Sequence, residues 1–142
     1  MRPKLVITQL QVDAMIKALA AKIILAGTCL TNVVGIANGG LHVSRPLAAR
    51  LRLPHSSIRI SHYYRQVHRI VPIIKGYLPQ ATHNLIVDDL IDDGWTMRTF
   101  AKHFGLEGNE TAVLFCKKGD FEPTYYIEEK PDKWIVFPWE TE

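Results

Sequence analysis

Leu85-Ile86-Val87-Asp88-Asp89-Leu90-Ile91-Asp92-Asp93-Gly94-Trp95-Thr96 is the stretch on which the fold turns. Asn84 to Val87 reads as a short strand buried on both faces, because its apolar residues run without alternation. That strand delivers two adjacent carboxylates, Asp88 and Asp89, to its open end. Side-by-side acceptors suit the vicinal hydroxyls of a ribose. They also suit Mg²⁺, which prefers a few carboxylates together with substrate oxygens. Gly94 lets the backbone come close to a ligand, and Thr96 stands where a helix begins, running to about His103. The N–H groups of that first turn, with the helix dipole, favour a phosphate. One short segment is therefore equipped to hold a sugar and its phosphate together.

The charges around this turn are segregated. Four of the 14 acids fall at Asp88, Asp89, Asp92 and Asp93. The stretch from Arg59 to Lys75 carries Arg59, Arg65, Arg69 and Lys75 with His62 and His68, and no acid. One segment suits a cation or hydroxyl groups and the other an anion, so a phosphorylated, metal-bound ligand would use both. Taken alone, the basic stretch reads equally well as a solvated face.

Working outward, strands alternate with helices. Thr8 caps a helix over about 9–26, with Leu10, Met15, Ile16, Leu19, Ile23 and Ile24 at helical spacing and Gly27 as its stop. Val33 to Ala37 is a short apolar strand, followed by Asn38-Gly39-Gly40 and a helix over about 42–52. Ser56 to Ile60 is a further strand. Residues 61–82, with Pro72, Gly76 and Pro79, read as a long and partly extended excursion, a kind of loop that is usually functional. Thr111 to Cys116 is another apolar strand, and Tyr125–Ile127 and Trp134–Val136 are short and aromatic. The alternation predicts a single α/β domain with a mostly parallel central sheet flanked by helices. In such sheets ligands bind outside the carboxyl ends of the strands. Asn38-Gly39-Gly40, Asp88 to Thr96, and Lys117-Lys118-Gly119 all follow strands, so all three are expected at that edge.

The global figures bound the rest. The chain has 142 residues, 47% of them apolar, and a net charge of +3. That length suits one domain with a sizeable core. No apolar run approaches the roughly 20 residues needed to span a bilayer. Cys29 and Cys116 are far apart with no paired spacing, which argues against a disulfide scaffold or structural zinc and fits a reducing cytoplasm. No HExxH, GxSxG or P-loop sequence occurs. The six His residues lack the paired spacing of a metal site.

The acidic segment resembles the ribose-phosphate signature of the type I phosphoribosyltransferases. In that signature four apolar residues precede two acids, two apolar residues and Asp-Thr-Gly-x-Thr. Leu85 to Thr96 departs from it at Asp93, where Thr or Ser is usual, and at bulky Trp95. An ionised Asp93 beside a phosphate is repelled, so either its side chain points away or phosphate affinity falls. The resemblance covers nearly the whole chain and is nearest to the purine branch, particularly the short xanthine-guanine type. Gly35 to Leu41 resembles the family's pyrophosphate loop, although uncharged Asn38 stands where Arg or Lys is usual. Leu114-Phe115-Cys116-Lys117 resembles the strand whose terminal Lys reads the 6-oxo group of a purine. Trp134 to Glu140 resembles the closing segment, in which an aromatic covers the base and backbone carbonyls meet its edge.

The resemblance implies a type I phosphoribosyltransferase fold over 1–142. A flexible lid spans about 61–74, and a base-covering segment about 120–142. It implies transfer of ribose 5-phosphate from 5-phosphoribosyl 1-pyrophosphate (PRPP) to guanine, xanthine or hypoxanthine, with Mg²⁺ and release of pyrophosphate, in purine salvage. Asp88 and Asp89 would hold ribose hydroxyls and metal. Asp92 would hold or accept the purine proton, and Asp93, Gly94, Trp95 and Thr96 would cradle the phosphate. Asn38, Gly39, Gly40 and Arg65 would meet pyrophosphate, and Lys117, Trp134 and Ile135 the base. A cytoplasmic homodimer or homotetramer without membrane or nucleic-acid partners is expected. A different acceptor base, a PRPP- or nucleotide-binding regulator, and RNA binding through 59–75 remain the alternative readings.

Overall fold

The computed structural model describes residues 2–64, 70–80, 83–119 and 121–140. In chain order they form β1 (Lys4–Val6), α1 (Gln9–Ala26), β2 (Asn32–Ala37), α2 (Leu41–Leu51), β3 (His55–Tyr64) and β4 (Ile70–Lys75). Then follow β5 (Asn84–Val87), β6 (Leu90–Ile91), α3 (Trp95–Phe104), β7 (Asn109–Ala112), β8 (Phe115–Cys116), β9 (Glu128–Glu129) and β10 (Trp134–Val136).

Local chemistry sets the ends of α1. The Thr8 hydroxyl accepts from Gln11 N–H at 3.1 Å while the Gln11 side chain accepts from Thr8 N–H at 2.8 Å, a reciprocal capping box. Gly27, at φ 69°, closes the helix in the left-handed region. Val12, Ile16, Leu19, Ala20 and Ile23 form its buried stripe, whereas Leu10 and Ile24 face solvent.

Among the described residues the central sheet has the order β4-β3-β2-β5-β7. The β3–β2, β2–β5 and β5–β7 pairs are parallel, and the outer β3–β4 pair is antiparallel. Alternation along each strand divides the core. Val33, Leu85 and Val87 pack with the apolar stripes of α1 and α2, while Val34 and Ile86 pack with Met97 and Phe100 of α3. That two-sided burial explains why β5 is apolar throughout. The parallel register sets Gly35 beside Val87, so β2 and β5 release Asn38-Gly39-Gly40 and Asp88-Asp89 at one edge.

Three features go beyond what the sequence expectations specified. Residues 61–64 and 70–74, expected in a lid, belong to the paired strands of the β3–β4 hairpin; Arg65 and the rest of 65–69 lie outside the described residues. The apolar run Thr111–Cys116 is not one strand. It divides at Val113–Leu114, so that β7 closes the central sheet and β8 joins a smaller sheet of order β6-β8-β9. Finally, β1 pairs in parallel with β10, joining Lys4–Val6 to Trp134–Val136.

Candidate active site

Close packing brings the Gly39-Gly40 bend onto the paired aspartates. A Cβ on Gly40 would stand 2.5 Å from Ile36 O, 2.7 Å from Val87 O and 3.1 Å from Asp88 Cα. A Cβ on Gly39 would strike the Asp89 carboxylate. Gly40 needs to be glycine because it passes directly over the backbone at the ends of β2 and β5, while at Gly39 a side chain would displace the Asp89 carboxylate. The Ala37–Asn38 peptide bond is cis.

Asp88 Oδ1 accepts from Asp89 N–H at 2.9 Å, and Asp89 Oδ1 accepts from Leu90 N–H at 2.8 Å. Burial, and then the neighbouring Asp89 charge, hold the Asp88 carboxyl well above the usual carboxylate range. Burial also raises Asp89, against the opposing pull of its hydrogen bonds and of His42. The His42 ring lies flat on Trp139, centroids 4.6 Å apart, and Trp139 stacks in turn on Phe137. Trp139 is therefore packing, as its place beside Pro138 suggests.

A carboxyl pair held up by burial gains from added positive charge and donors. A divalent cation or ribose hydroxyls would supply both. Among the described residues no three His, Cys, Asp or Glu side chains gather as a ligand set. Two adjacent carboxylates are donor chemistry that fits an ion completed by substrate oxygens, as Mg²⁺ commonly is.

Beyond the pair, Asp93 folds back on its own turn. Its Oδ1 accepts from Trp95 N–H at 2.9 Å, and its carbonyl accepts from Arg98 Nη1 at 2.5 Å. The side chain thus occupies one of the first-turn donors expected to meet a phosphate. Gly94, at φ 82°, makes the left-handed turn into α3. A cavity of about 220 Å³ lies against Asp89 to Met97.

A second group of side chains is aligned by the small sheet. Ile91 pairs with Cys116, and Cys116 with Glu129, all in parallel. The residues that follow each strand, Asp92, Lys117 and Lys130, therefore emerge in a row. Lys117 Nζ stands 4.0 Å and Lys130 Nζ 3.8 Å from the same Asp92 Oδ1. Lys118 Nζ stands 3.8 Å from Glu129 Oε2. A cavity of about 240 Å³ is lined by Asp92 to Gly94 and Lys117 to Gly119.

Trp134 is 54% exposed and open to stacking, but the Ile135 side chain is buried in the core. Trp134 N–H donates to Pro3 O, and Val136 O accepts from Ile7 N–H. By parallel alternation the Ile135 N–H and C=O face away from β1, so any contact from Ile135 comes through its backbone.

Two cations escaped the sequence reading. Arg59 Nη2 donates to Asn38 Oδ1 at 3.0 Å, placing a guanidinium beside the uncharged residue of the glycine bend. Its register opposite Ala37 puts it there; in sequence it is one of several cations in a basic stretch. Lys130 sits in a charged run that reads as solvated surface.

Comparison with known proteins agrees with this geometry. Residues 7–142 match the phosphoribosyl transferase domain. The xanthine-guanine phosphoribosyltransferase of Nitratidesulfovibrio vulgaris (strain DP4) is 30% identical over 141 residues, spanning 94% of this chain and 82% of that one. The crystal structure of a purine phosphoribosyltransferase from Pyrococcus horikoshii Ot3 superposes with a TM-score of 0.85 at 31% identity, covering 98% of this chain and 95% of the other. A hypothetical protein from Neisseria gonorrhoeae with bound ppGpp superposes with a TM-score of 0.81 at 25% identity, covering 99% and 91%.

Proposed function

The chain belongs to the phosphoribosyl transferase domain family, and from that premise we propose that it transfers ribose 5-phosphate from PRPP to a ring nitrogen of a 6-oxopurine, releasing pyrophosphate. The observation that carries the reading is that one short turn joins two half-sites, the first at the carboxyl end of β5 and the second where β6 and β8 of the small sheet end. Asp88 and Asp89 lie under the Gly39-Gly40 bend, and Asp92 lies beside Lys117.

Breaking the C1–O bond builds positive charge on the sugar, as in glycoside cleavage. Asp88 and Asp89 accept the ribose hydroxyls and orient the ring. The same carboxylates would hold Mg²⁺, which when bound stabilises the charge on departing pyrophosphate. The backbone of Gly39 and Gly40, with Asn38 and Arg59, meets the pyrophosphate; Arg65 is a further candidate. Gly94, Trp95, Thr96 and the backbone of Asp93 form the 5-phosphate cradle, from which the Asp93 carboxylate must withdraw. Lys117 donates to the 6-oxo group, Trp134 stacks on the base, and the Ile135 backbone meets its edge. Asp92 accepts or holds the purine proton, a general acid–base role. Residues near 61–74 close over the site and exclude water, which competes for the sugar cation.

We place this activity in purine salvage in the cytoplasm, carried out by a homodimer or homotetramer, a stoichiometry that light scattering reads directly. Incubation with PRPP, Mg²⁺ and a panel of free bases tests the proposal. Nucleoside monophosphate forms with guanine, xanthine or hypoxanthine; product with pyrimidines alone, or none at all, refutes it. One observation favours a second reading. Asp93 occupies a phosphate donor, and a structural relative holds ppGpp, so a nucleotide-binding regulator would show PRPP or nucleotide binding by calorimetry without turnover.

A further inference from the structure

The Lys130 side chain is only 5% exposed. A buried ammonium is costly unless paired, and an apolar side chain of similar volume is often as stable or more so at such a position. The segment that carries it does not need a lysine to hold its place, since main-chain Lys130 N–H already donates to Cys116 O at 2.9 Å. What the ammonium adds is a set of oxygens from two different segments. It donates to Lys133 O at 3.0 Å and to Pro131 O at 3.4 Å, and faces Asp92 Oδ1 at 3.8 Å. Lys133 immediately precedes Trp134. One buried cation therefore ties the acidic turn to the segment bearing the exposed aromatic ring.

Lys117 cannot do the same. It is 54% exposed, and an exposed lysine swings freely. When Lys117 turns to a substrate carbonyl, Asp92 loses that partner. Lys130, enclosed and held by two carbonyls, stays. Resting on the phosphoribosyl-transfer reading, we propose that Lys130 is a positioning residue of the base site: it fixes the Asp92 carboxylate against the Trp134 segment and keeps it charge-balanced while Lys117 engages the base.

The test is a double-substitution cycle on the full chain, with Lys130→Met, Asp92→Asn and both together. Its readout is calorimetric binding of a 6-oxopurine nucleoside monophosphate, which needs no turnover. Lys130→Met is expected to weaken binding about tenfold, while its melting temperature stays level or rises and the affinity for PRPP–Mg²⁺ changes less than twofold. In the Asp92→Asn background the same substitution is expected to cost less than twofold. Undiminished loss in that background, equal loss of PRPP affinity, or unchanged nucleotide binding overturns the proposal. So does failure of both Lys130→Met and Lys130→Gln to fold, which would make the ammonium a structural requirement. Failure of the functional reading shows separately, as absence of turnover by the unsubstituted chain.

Discussion

Asp88 and Asp89 belong to the same turn as Asp92, yet their surroundings are opposite. The first two are pressed together under a glycine bend, and burial pushes both carboxyls upward. Asp92 opens into a cavity with two ammonium groups on one of its oxygens. Burial dominates the surroundings of the pair, whereas Asp92 has counter-charge built into the residues that follow β8 and β9. The difference teaches that packing sets what a carboxylate is suited to: in the proposed reaction, identical side chains would serve as ligand-dependent acceptors or as a pre-balanced proton site.

Substitutions should separate the two regions. Asp92→Asn is expected to lower kcat by about 10²–10⁴-fold and leave calorimetric PRPP–Mg²⁺ affinity nearly unchanged. A parallel loss of both would erase the distinction. Asp88→Asn or Asp89→Asn should do the reverse, weakening PRPP–Mg²⁺ by about 10–100-fold, the worth of one charged hydrogen bond. Arg59→Ala is expected to raise KM for PRPP about tenfold without moving KM for the base. Asp93→Thr removes the carboxylate that caps Trp95 N–H and should improve PRPP affinity about two- to fivefold, the range for an exposed charge; an unchanged or weaker affinity would show that Asp93 already withdraws without cost.

The smallest effect is on stability. Because the folded Asp88 carboxyl sits above its ordinary range, it binds its proton more tightly folded than unfolded. Its contribution is full below the ordinary carboxylate pKa and disappears as pH rises through the raised value. The melting temperature of the ligand-free chain should therefore fall as pH climbs through that window, by a few degrees. Asp88→Asn should flatten the slope, and PRPP–Mg²⁺ should offset it. A flat profile in the unsubstituted chain would remove the contrast with Asp92.

Sequence reveals local strand and helix patterns well and strand partners poorly. Asn84–Val87 was readable because burial on both faces demands an unbroken apolar run, and the α1 cap because its chemistry is local. The division of Thr111–Cys116 was hidden for the same reason that made it look like one strand: every residue in it is buried, so no change of pattern marks the change of sheet. The β3–β4 hairpin carries Pro72 and several basic residues, which look like a loop. At the site, the acidic turn and glycine bend were visible as motifs. Arg59 and Lys130 were not, since their places arise from the register of Arg59 opposite Ala37 and of Glu129, the residue before Lys130, opposite Cys116, which no spacing along the chain encodes.

The pairing of Lys4–Val6 with Trp134–Val136 has a practical bearing on anyone preparing the protein. The ring expected to stack on the base hangs from a strand clipped to the first few residues. Trimming residues 4–6, or fusing a bulky purification handle ahead of them, should disturb nucleobase recognition sooner than handling of the sugar phosphate.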